Sequence, residues 1–399
     1  MIRYAVLALM LALPAATANA SALTEAEAVR RGLSHPQLQA MQESTVGEAL
    51  GASAAAGRWP NPEIELGRER VDGSSRRSNE TDVWIRQRLD LAGVRARERD
   101  AAQTLVVAAR ARADMVDREQ ARDIRRRFYD ALAADALLGL AGDWRDRLDL
   151  LVAAAVRRVD AGDASRYELL RLQKELSVVK AEFFERQAAA ASARERLFAM
   201  IGGEPARLSG MLLPPAMDPA MAPGLLADHP LLRALEAESD SALLSSEAAS
   251  RRRWPALTLG AGWREVDEAG HSADGGMFMV GVEIPIFDRG TGDRDAAASR
   301  ARRSTAERWL AEERLAAEAR SALGELQARR AGALLLSDHE SEETSFLSIA
   351  EAAYEAGEIG VAELIDAHRT ELAVARERIE RSRLARESFI ELQYVGGRP

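Results

Sequence analysis

Apolar residues recur at intervals of three and four over two long stretches of the chain. In "LLGLAGDWRDRLDLLVAAAV" the stripe is Leu137, Leu140, Trp144, Leu148, Leu151 and Val152. In "RLAAEARSALGELQARRAGALLL" it is Leu315, Ala319, Leu323, Leu326 and Leu334. Arg, Asp and Glu occupy the opposite faces, so both stretches predict amphipathic helices with a narrow apolar seam. Proline breaks helix interiors, and none stands between Pro62 and Pro205 or between Pro285 and Pro399. Gly93 to Gly162 is about 70 residues, on the order of 100 Å as a single helix, which exceeds any ordinary globular core.

Two other regions alternate with period two. In "PALTLGAGW", Leu257, Leu259, Ala261 and Trp263 face one way, and the return strand sets Phe278, Val280, Val282, Ile284 and Ile286 on one face. In the first half Ile64 and Leu66 share a face, as do Val83, Ile85, Leu89 and Leu91, with Asp82, Arg86, Arg88 and Asp90 opposite. Strands of about 10 residues with one apolar and one polar face fit a transmembrane β-barrel. They equally fit hairpins packed on a soluble core. Four strands are too few to enclose a useful lumen, so a barrel would draw on several chains.

Composition narrows the choice. Aromatic residues are only 5% of the chain while Ala, Arg, Glu and Leu dominate, which suits long helices over ordinary compact domains. The start, "MIRYAVLALMLALPAATANA", has a basic residue, a short apolar run and an Ala18-Asn19-Ala20 cleavage pattern. It predicts a secretory signal peptide over residues 1–20. The chain has no cysteine, which excludes a disulfide framework and a lipid-bearing N-terminal cysteine. A net charge of −9 argues against nucleic acid as a partner. His35, His229, His271, His339 and His368 are too scattered for a metal site, and no catalytic constellation or cofactor motif emerges.

The sequence also repeats. "RVDAGDASRYELLRLQK" and "AYEAGEIGVAELIDAHR" carry the same phrase, and the 195 residues from Gly162 to Gly357 also separate Arg58-Trp59-Pro60 from Arg253-Trp254-Pro255. With one residue of slippage His35-Pro36 matches His229-Pro230. A tandem duplication follows. Residues 21–203 form the first repeat, with a β-hairpin at about 62–91 and a helical turn at 162. A linker spans 204–224. The second repeat, 225–399, has its hairpin at about 256–287 and its turn at 357. Each repeat reads helix of 25–30 residues, hairpin, long helix, turn, then a helix of about 40 residues.

In this order and spacing, these features resemble the TolC-like outer-membrane efflux channels of Gram-negative bacteria over nearly the whole mature chain. "RWPNPEIELG" and "RQRLDLAGVRARERDAA" look like the heavy-metal-efflux branch. The resemblance implies a mainly α fold with a small β part. Long helical hairpins would form a periplasmic α-barrel, and two β-hairpins per chain would build a 12-stranded barrel in a homotrimer. It implies partnership with outer-membrane lipid, a periplasmic adaptor and an inner-membrane resistance-nodulation-division pump. It implies no cofactor and no catalysed reaction, and export of divalent heavy-metal cations. A soluble periplasmic coiled-coil scaffold is the alternative.

The resemblance also assigns residues. Gly162, Asp163, Ser165, Gly357, Glu358 and Gly360 would lie on the tips that meet the adaptor. Glu363 and Asp366, three apart and so on one helix face, match an acidic ring at the periplasmic entrance. The first repeat has Glu168 and Arg171 there, and Arg171 is expected to latch the acidic pair.

Overall fold

The computed structural model describes residues 22–72, 77–217, 228–268, 270–337 and 340–396, so the expected signal peptide lies outside the described residues. Among the described residues six strands and eight helices follow in the order β1 (Leu23–Thr24), α1 (Glu25–Leu33), α2 (Pro36–Ala56), β2 (Glu63–Asp72), β3 (Arg77–Leu89), α3 (Val94–Ala161), α4 (Arg166–Ile201), β4 (Leu208–Ser209), α5 (Pro230–Arg251), β5 (Ala256–Glu268), β6 (His271–Glu283), α6 (Thr291–Ser337), α7 (Glu340–Glu355) and α8 (Val361–Val395). The chain is mainly helical, and α3 alone has 68 residues. Among the described residues no helix is long and apolar enough to cross a membrane.

The two His-Pro pairs are helix starts. His35 Nδ1 accepts the Gln37 N–H at 3.3 Å and His229 Nδ1 accepts the Leu231 N–H at 3.2 Å. Each satisfies an orphan donor of the first turn, while proline, which has no N–H to lose, takes the next position. The helices that follow have 21 and 22 residues, shorter than the 25–30 expected. The Arg-Trp-Pro segments end them early, because a residue before proline is driven out of the helical region.

The chain divides into two compact units: Met1–Gly32, Ile124–Pro214 and Arg330–Arg386 in the first, Leu33–Asp123, Pro215–Arg329 and Glu387–Pro399 in the second. Each unit therefore takes segments from both sequence halves. In the first unit β1 pairs in parallel with β4. Beside this pair Glu25 accepts from Arg125 Nε at 3.0 Å and from the Tyr129 hydroxyl at 2.5 Å. Arg386 stacks on Tyr129 and donates to the carbonyls of Met211, Leu212 and Leu213. The segment after β4 is thus held by a buried guanidinium that has acceptors for its donors.

The second unit holds an antiparallel sheet in the order β2-β3-β5-β6. Its register aligns Ile64, Ile85, Ala261 and Phe278 in one row and Leu66, Val83 and Trp263 in the next. These side chains share one face, and nothing in the described chain covers it. Leu66 is 74% exposed, Ile64 70% and Phe278 90%. The opposite face is polar, with ion pairs Arg86–Glu65, Arg88–Glu283 (3.0 Å) and Arg264–Glu80 (3.5 Å). The apolar core of this unit lies elsewhere, where Leu232 and Leu235 of α5 meet Leu315, Ala319 and Leu326 of α6 and Leu392 of α8.

Each hairpin feeds its long helix through an Asp-to-Gly turn. Asp90 accepts the N–H groups of Val94 and Arg95 at 3.0 and 2.8 Å, and Asp288 accepts that of Gly290 at 2.9 Å. Gly290 has φ +70°, and a Cβ there would lie 2.4 Å from the Ala249 carbonyl oxygen. Gly270, in the β5–β6 turn, has φ +86° but open space around it. Both positions disfavour a side chain by about 1–2 kcal/mol of backbone strain, and only Gly290 adds a backbone collision. Gly290→Ala should therefore lower the midpoint of thermal unfolding clearly more than Gly270→Ala. Equal losses would contradict this account of the turn.

Candidate functional site

The residues singled out by the sequence all lie in the first unit, around the α3–α4 and α7–α8 turns. The two turns are built alike. Gly162 has φ +84° and Gly357 +75°. At the first, Gly162 N–H donates to Val159 and Asp163 N–H to Arg158, at 3.0 and 2.8 Å. At the second, Gly357 N–H donates to Tyr354 and Glu358 N–H to Ala353, at 3.1 and 2.8 Å. This double bond pattern closes a helix on a left-handed residue, which glycine adopts without a Cβ penalty.

The outgoing helices start differently. Ser165 caps α4, its hydroxyl accepting the Glu168 N–H at 3.2 Å. In α8 Gly360 stands in that place and has no side chain to cap with, although its carbonyl accepts the Leu364 N–H at 3.2 Å. The Glu363 carboxylate turns back instead, to within 2.9 Å of where a Gly360 Cβ would be. There it sits at the positive end of the helix dipole.

The two hairpins pack together at this end. Trp144, Leu148 and Ala155 of α3, Leu172, Leu176 and Val179 of α4, and Val361 and Ile365 of α8 share one buried cluster. The Arg158 guanidinium lies 5.5 Å from the Tyr354 ring, so the ends of α3 and α7 are neighbours.

Glu363 and Asp366 are both exposed on α8, and Arg171 is exposed on α4. Within one chain the structure does not join Arg171 to either acid. The cation that Asp366 acts on is Arg369, one turn along its own helix, whose pKa is raised by its bond to Glu175 and further by Asp366. Arg369 is in turn held by α4: its Nε donates to Glu175 Oε1 at 2.9 Å, and a second nitrogen bonds Oε2. Seven residues on, Arg376 Nη2 donates to Glu182 Oε1, and another seven on Arg383 Nη1 donates instead to Asp130 Oδ1 of α3 at 3.1 Å. The α4 and α8 partners advance together, so these helices run parallel with a ladder of charge across their seam. Sequence reasoning missed this ladder. The matching seven-residue spacing of Glu175 and Glu182 and of Arg369 and Arg376 was its visible signal.

His368 faces the opposite side of α8. Its ring stacks on Trp144, with centroids 4.3 Å apart and planes 24° apart. Its Nε2 lies 3.4 Å from Glu351 Oε1 but without hydrogen-bond geometry. Burial, with Arg147 beside it, pushes the imidazole down to about 4. His229 is pushed down to about 4 by burial and by Arg118 and Arg314. Among the described residues no group of three His, Asp or Glu side chains is placed to hold a metal.

Residues 223–398 match the family described as outer membrane efflux protein. The chain is 29% identical over 322 residues to the cobalt-zinc-cadmium resistance protein CzcC of Cupriavidus metallidurans, covering 78% of this chain and 75% of that protein. It is 31% identical over 264 residues to the nickel and cobalt resistance protein CnrC of the same organism, covering 63% and 61%. Its fold is that of CusC, whose crystal structures concern transmembrane channel formation, with a TM-score of 0.79 at 18% identity over 94% of this chain and 92% of CusC. VceC of Vibrio cholerae gives 0.74 at 16% identity, over 94% and 96%.

Two measurements follow from these contacts. A histidine whose pKa is depressed on folding contributes stability that is complete above its unfolded value, 6.5, and declines as pH falls toward about 4. The unfolding midpoint should therefore fall from pH 7 to 4.5. His368→Phe, which keeps a ring on Trp144 but cannot take a proton, should flatten that fall; an unchanged slope would contradict the assignment. For the ladder, Arg369→Met leaves the buried Glu175 carboxylate unpaired. Its destabilisation, about 1–3 kcal/mol, should largely vanish in Glu175→Leu, and additive losses in the double variant would refute the coupling.

Proposed function

We propose that the chain is an outer membrane efflux protein, as its match over residues 223–398 and its likeness to CzcC support, and that three copies form an outer-membrane channel. It passes divalent heavy-metal cations to the exterior from a resistance-nodulation-division pump, through a periplasmic adaptor. The observation that carries this reading is the four-stranded sheet with an uncovered apolar face, a charged opposite face and two open edges. Three such sheets, joined edge to edge, make a 12-stranded barrel with lipid outside and an aqueous lumen within. Trp59 and Trp254 support the placement. Both are more than half exposed at the helix-to-strand junctions, the level at which aromatic side chains meet a membrane interface. Arg95 lies over the Trp59 ring at 3.4 Å. The metal class rests on the relatives named for cobalt, zinc, cadmium and nickel resistance.

In this reading residues 1–20 are the export signal, and the repeats 21–203 and 225–399 each supply one β-hairpin and one helical hairpin. Gly162, Asp163, Ser165, Gly357, Glu358 and Gly360 form the adaptor-docking tips. Asp366 and Glu363 line the periplasmic entrance, where three copies bring six carboxylates to one axis. Such a ring favours cations and resists close approach of its own members. Arg171 would reach the acids of a neighbouring copy, since it does not pair with those of its own chain.

A soluble periplasmic scaffold is the competing reading, and the exposed apolar sheet face speaks against it. Fractionation separates the two: the channel stays with outer membranes through a high-salt wash, whereas a scaffold is released. In planar bilayers Glu363→Gln with Asp366→Asn should weaken cation preference. Unchanged conductance and selectivity would remove the gate assignment.

A further inference from the structure

The apolar face of the sheet ends abruptly toward the hairpin turns. In register, Leu66, Val83 and Trp263 make its last apolar row, and the next row is Arg68, Thr81, Glu265 and Asp274. The row beyond is Arg70, Asn79, Asp267 and Ser272. All lie an even number of residues from Ile64, Ile85, Ala261 or Phe278 and so share their face. Along β5 the apolar run from Leu257 to Trp263 is about 20 Å long, close to the roughly 25 Å of an outer-membrane apolar band. Trp263, exposed in the last apolar row, has the place of an interfacial aromatic.

The two polar rows are divided by charge. Arg68 and Arg70 stand on β2, whereas Glu265, Asp267 and Asp274 stand on β5 and β6. Arg70 Nε donates to Asp72, at the end of its own strand, at 3.0 Å. Arg68 is exposed, and among the described residues it has no carboxylate partner. The acid of its own row that lies nearest, Glu265, is two strands away, about 10 Å. Opposite the two arginines on β3 stand Thr81 and Asn79, polar and uncharged. Next to them along the same two strands Ile64, Leu66, Val83 and Ile85 are exposed. The first hairpin therefore sets an unpaired cation above a bare apolar strip, and the second sets carboxylates above its own.

We propose that the outer face of the β2–β3 hairpin binds a phosphorylated glycolipid of the exterior leaflet, with Arg68 on its phosphate and Ile64, Leu66, Val83 and Ile85 along its acyl chains. A guanidinium presents a planar fork of donors that matches phosphate oxygens. Arg70 adds a second positive charge about 7 Å along the strand, and Thr81 and Asn79 supply neutral donors beside it. The acids of the second hairpin repel the same headgroup, so each chain takes lipid on one hairpin only. The inference rests on the channel reading, which also fixes the leaflet. The helices leave the sheet at the end away from Arg68, so the hairpin turns face the exterior.

The test is native mass spectrometry of the detergent-purified mature trimer with lipid A, an acylated glucosamine disaccharide bearing phosphate, and with the same lipid stripped of phosphate. Up to three copies of lipid A should bind per trimer, and the stripped lipid at least about tenfold more weakly. Arg68→Gln should weaken lipid A to a similar extent and Arg68→Lys less, while Glu265→Gln should not weaken it. The proposal fails if Arg68→Gln binds lipid A like the unaltered protein, or if removing phosphate changes nothing. It fails also if inorganic phosphate displaces the lipid, which marks a bare anion site. Trimers that dissociate in Arg68→Gln at unchanged lipid affinity would assign Arg68 to an acid of a neighbouring copy and equally overturn it. A high-salt wash of outer membranes keeps the two readings apart. Release of the protein ends the channel reading, and a retained trimer without an Arg68-dependent phosphate response ends the lipid site alone.

Discussion

Backbone N–H and C=O groups along the outer edges of β2 and β6 have no strand beside them within the sheet, whose order ends on those two strands. On the face between those edges Ile64, Leu66, Val83, Ile85, Leu259, Trp263, Phe278, Val280 and Val282 are all exposed. Burying one such side chain is worth about 1.5–3 kcal/mol. Leaving this set in water forgoes stability on the order of 10 kcal/mol, comparable to the whole net stability of a domain. Open edges and a bare apolar face are also the pattern that drives aggregation. Lipid on the face and another copy on each edge resolve both problems at once, and the rest of the proposed architecture follows from that requirement.

The helices answer a different constraint. Long helices that pack side by side along most of their length have no thick core to bury large side chains, so their seams are filled with small ones. Ala101, Ala108, Ala111, Ala121, Ala131 and Ala133 line the buried side of α3, and larger residues such as Phe128 and Leu148 enter only at intervals. With less apolar burial per residue, paired charges take a larger share in setting register. The Glu175–Arg369 and Glu182–Arg376 rungs fix how α4 lies along α8. A slip of one residue would leave Glu175, which is buried, without its guanidinium. In each rung the carboxylate is the less exposed partner, and breaking the pair leaves that charge without a counter-ion, which penalises a shifted register.

Much of this was legible in the sequence because it is periodic. The 3.6-residue pattern marks α3 and α6, the two-residue pattern marks β2, β3, β5 and β6, and Gly162 and Gly357 mark the turns. What stayed hidden depends on contacts between segments far apart in the chain. His35 and His229 look like lone histidines until their Nδ1 atoms are seen to cap helices. Trp144 and His368 belong to different repeats, and nothing local announces that they stack. At the candidate gate, sequence comparison of the repeats drew attention to Arg171 opposite Asp366. Within the chain the cation that Asp366 acts on is Arg369, which the repeat alignment sets against Lys174 rather than another arginine.

The central claim, that the sheet closes only through neighbouring copies, can be tested with cysteines, because the chain has none of its own. Pairs of single cysteines placed along β2 and β6 would be oxidised in isolated membranes and read on denaturing gels. The account predicts that one register of pairs yields covalent trimers, with no cross-link inside a single chain. Cross-links confined to single chains, or monomers at every register, would contradict it.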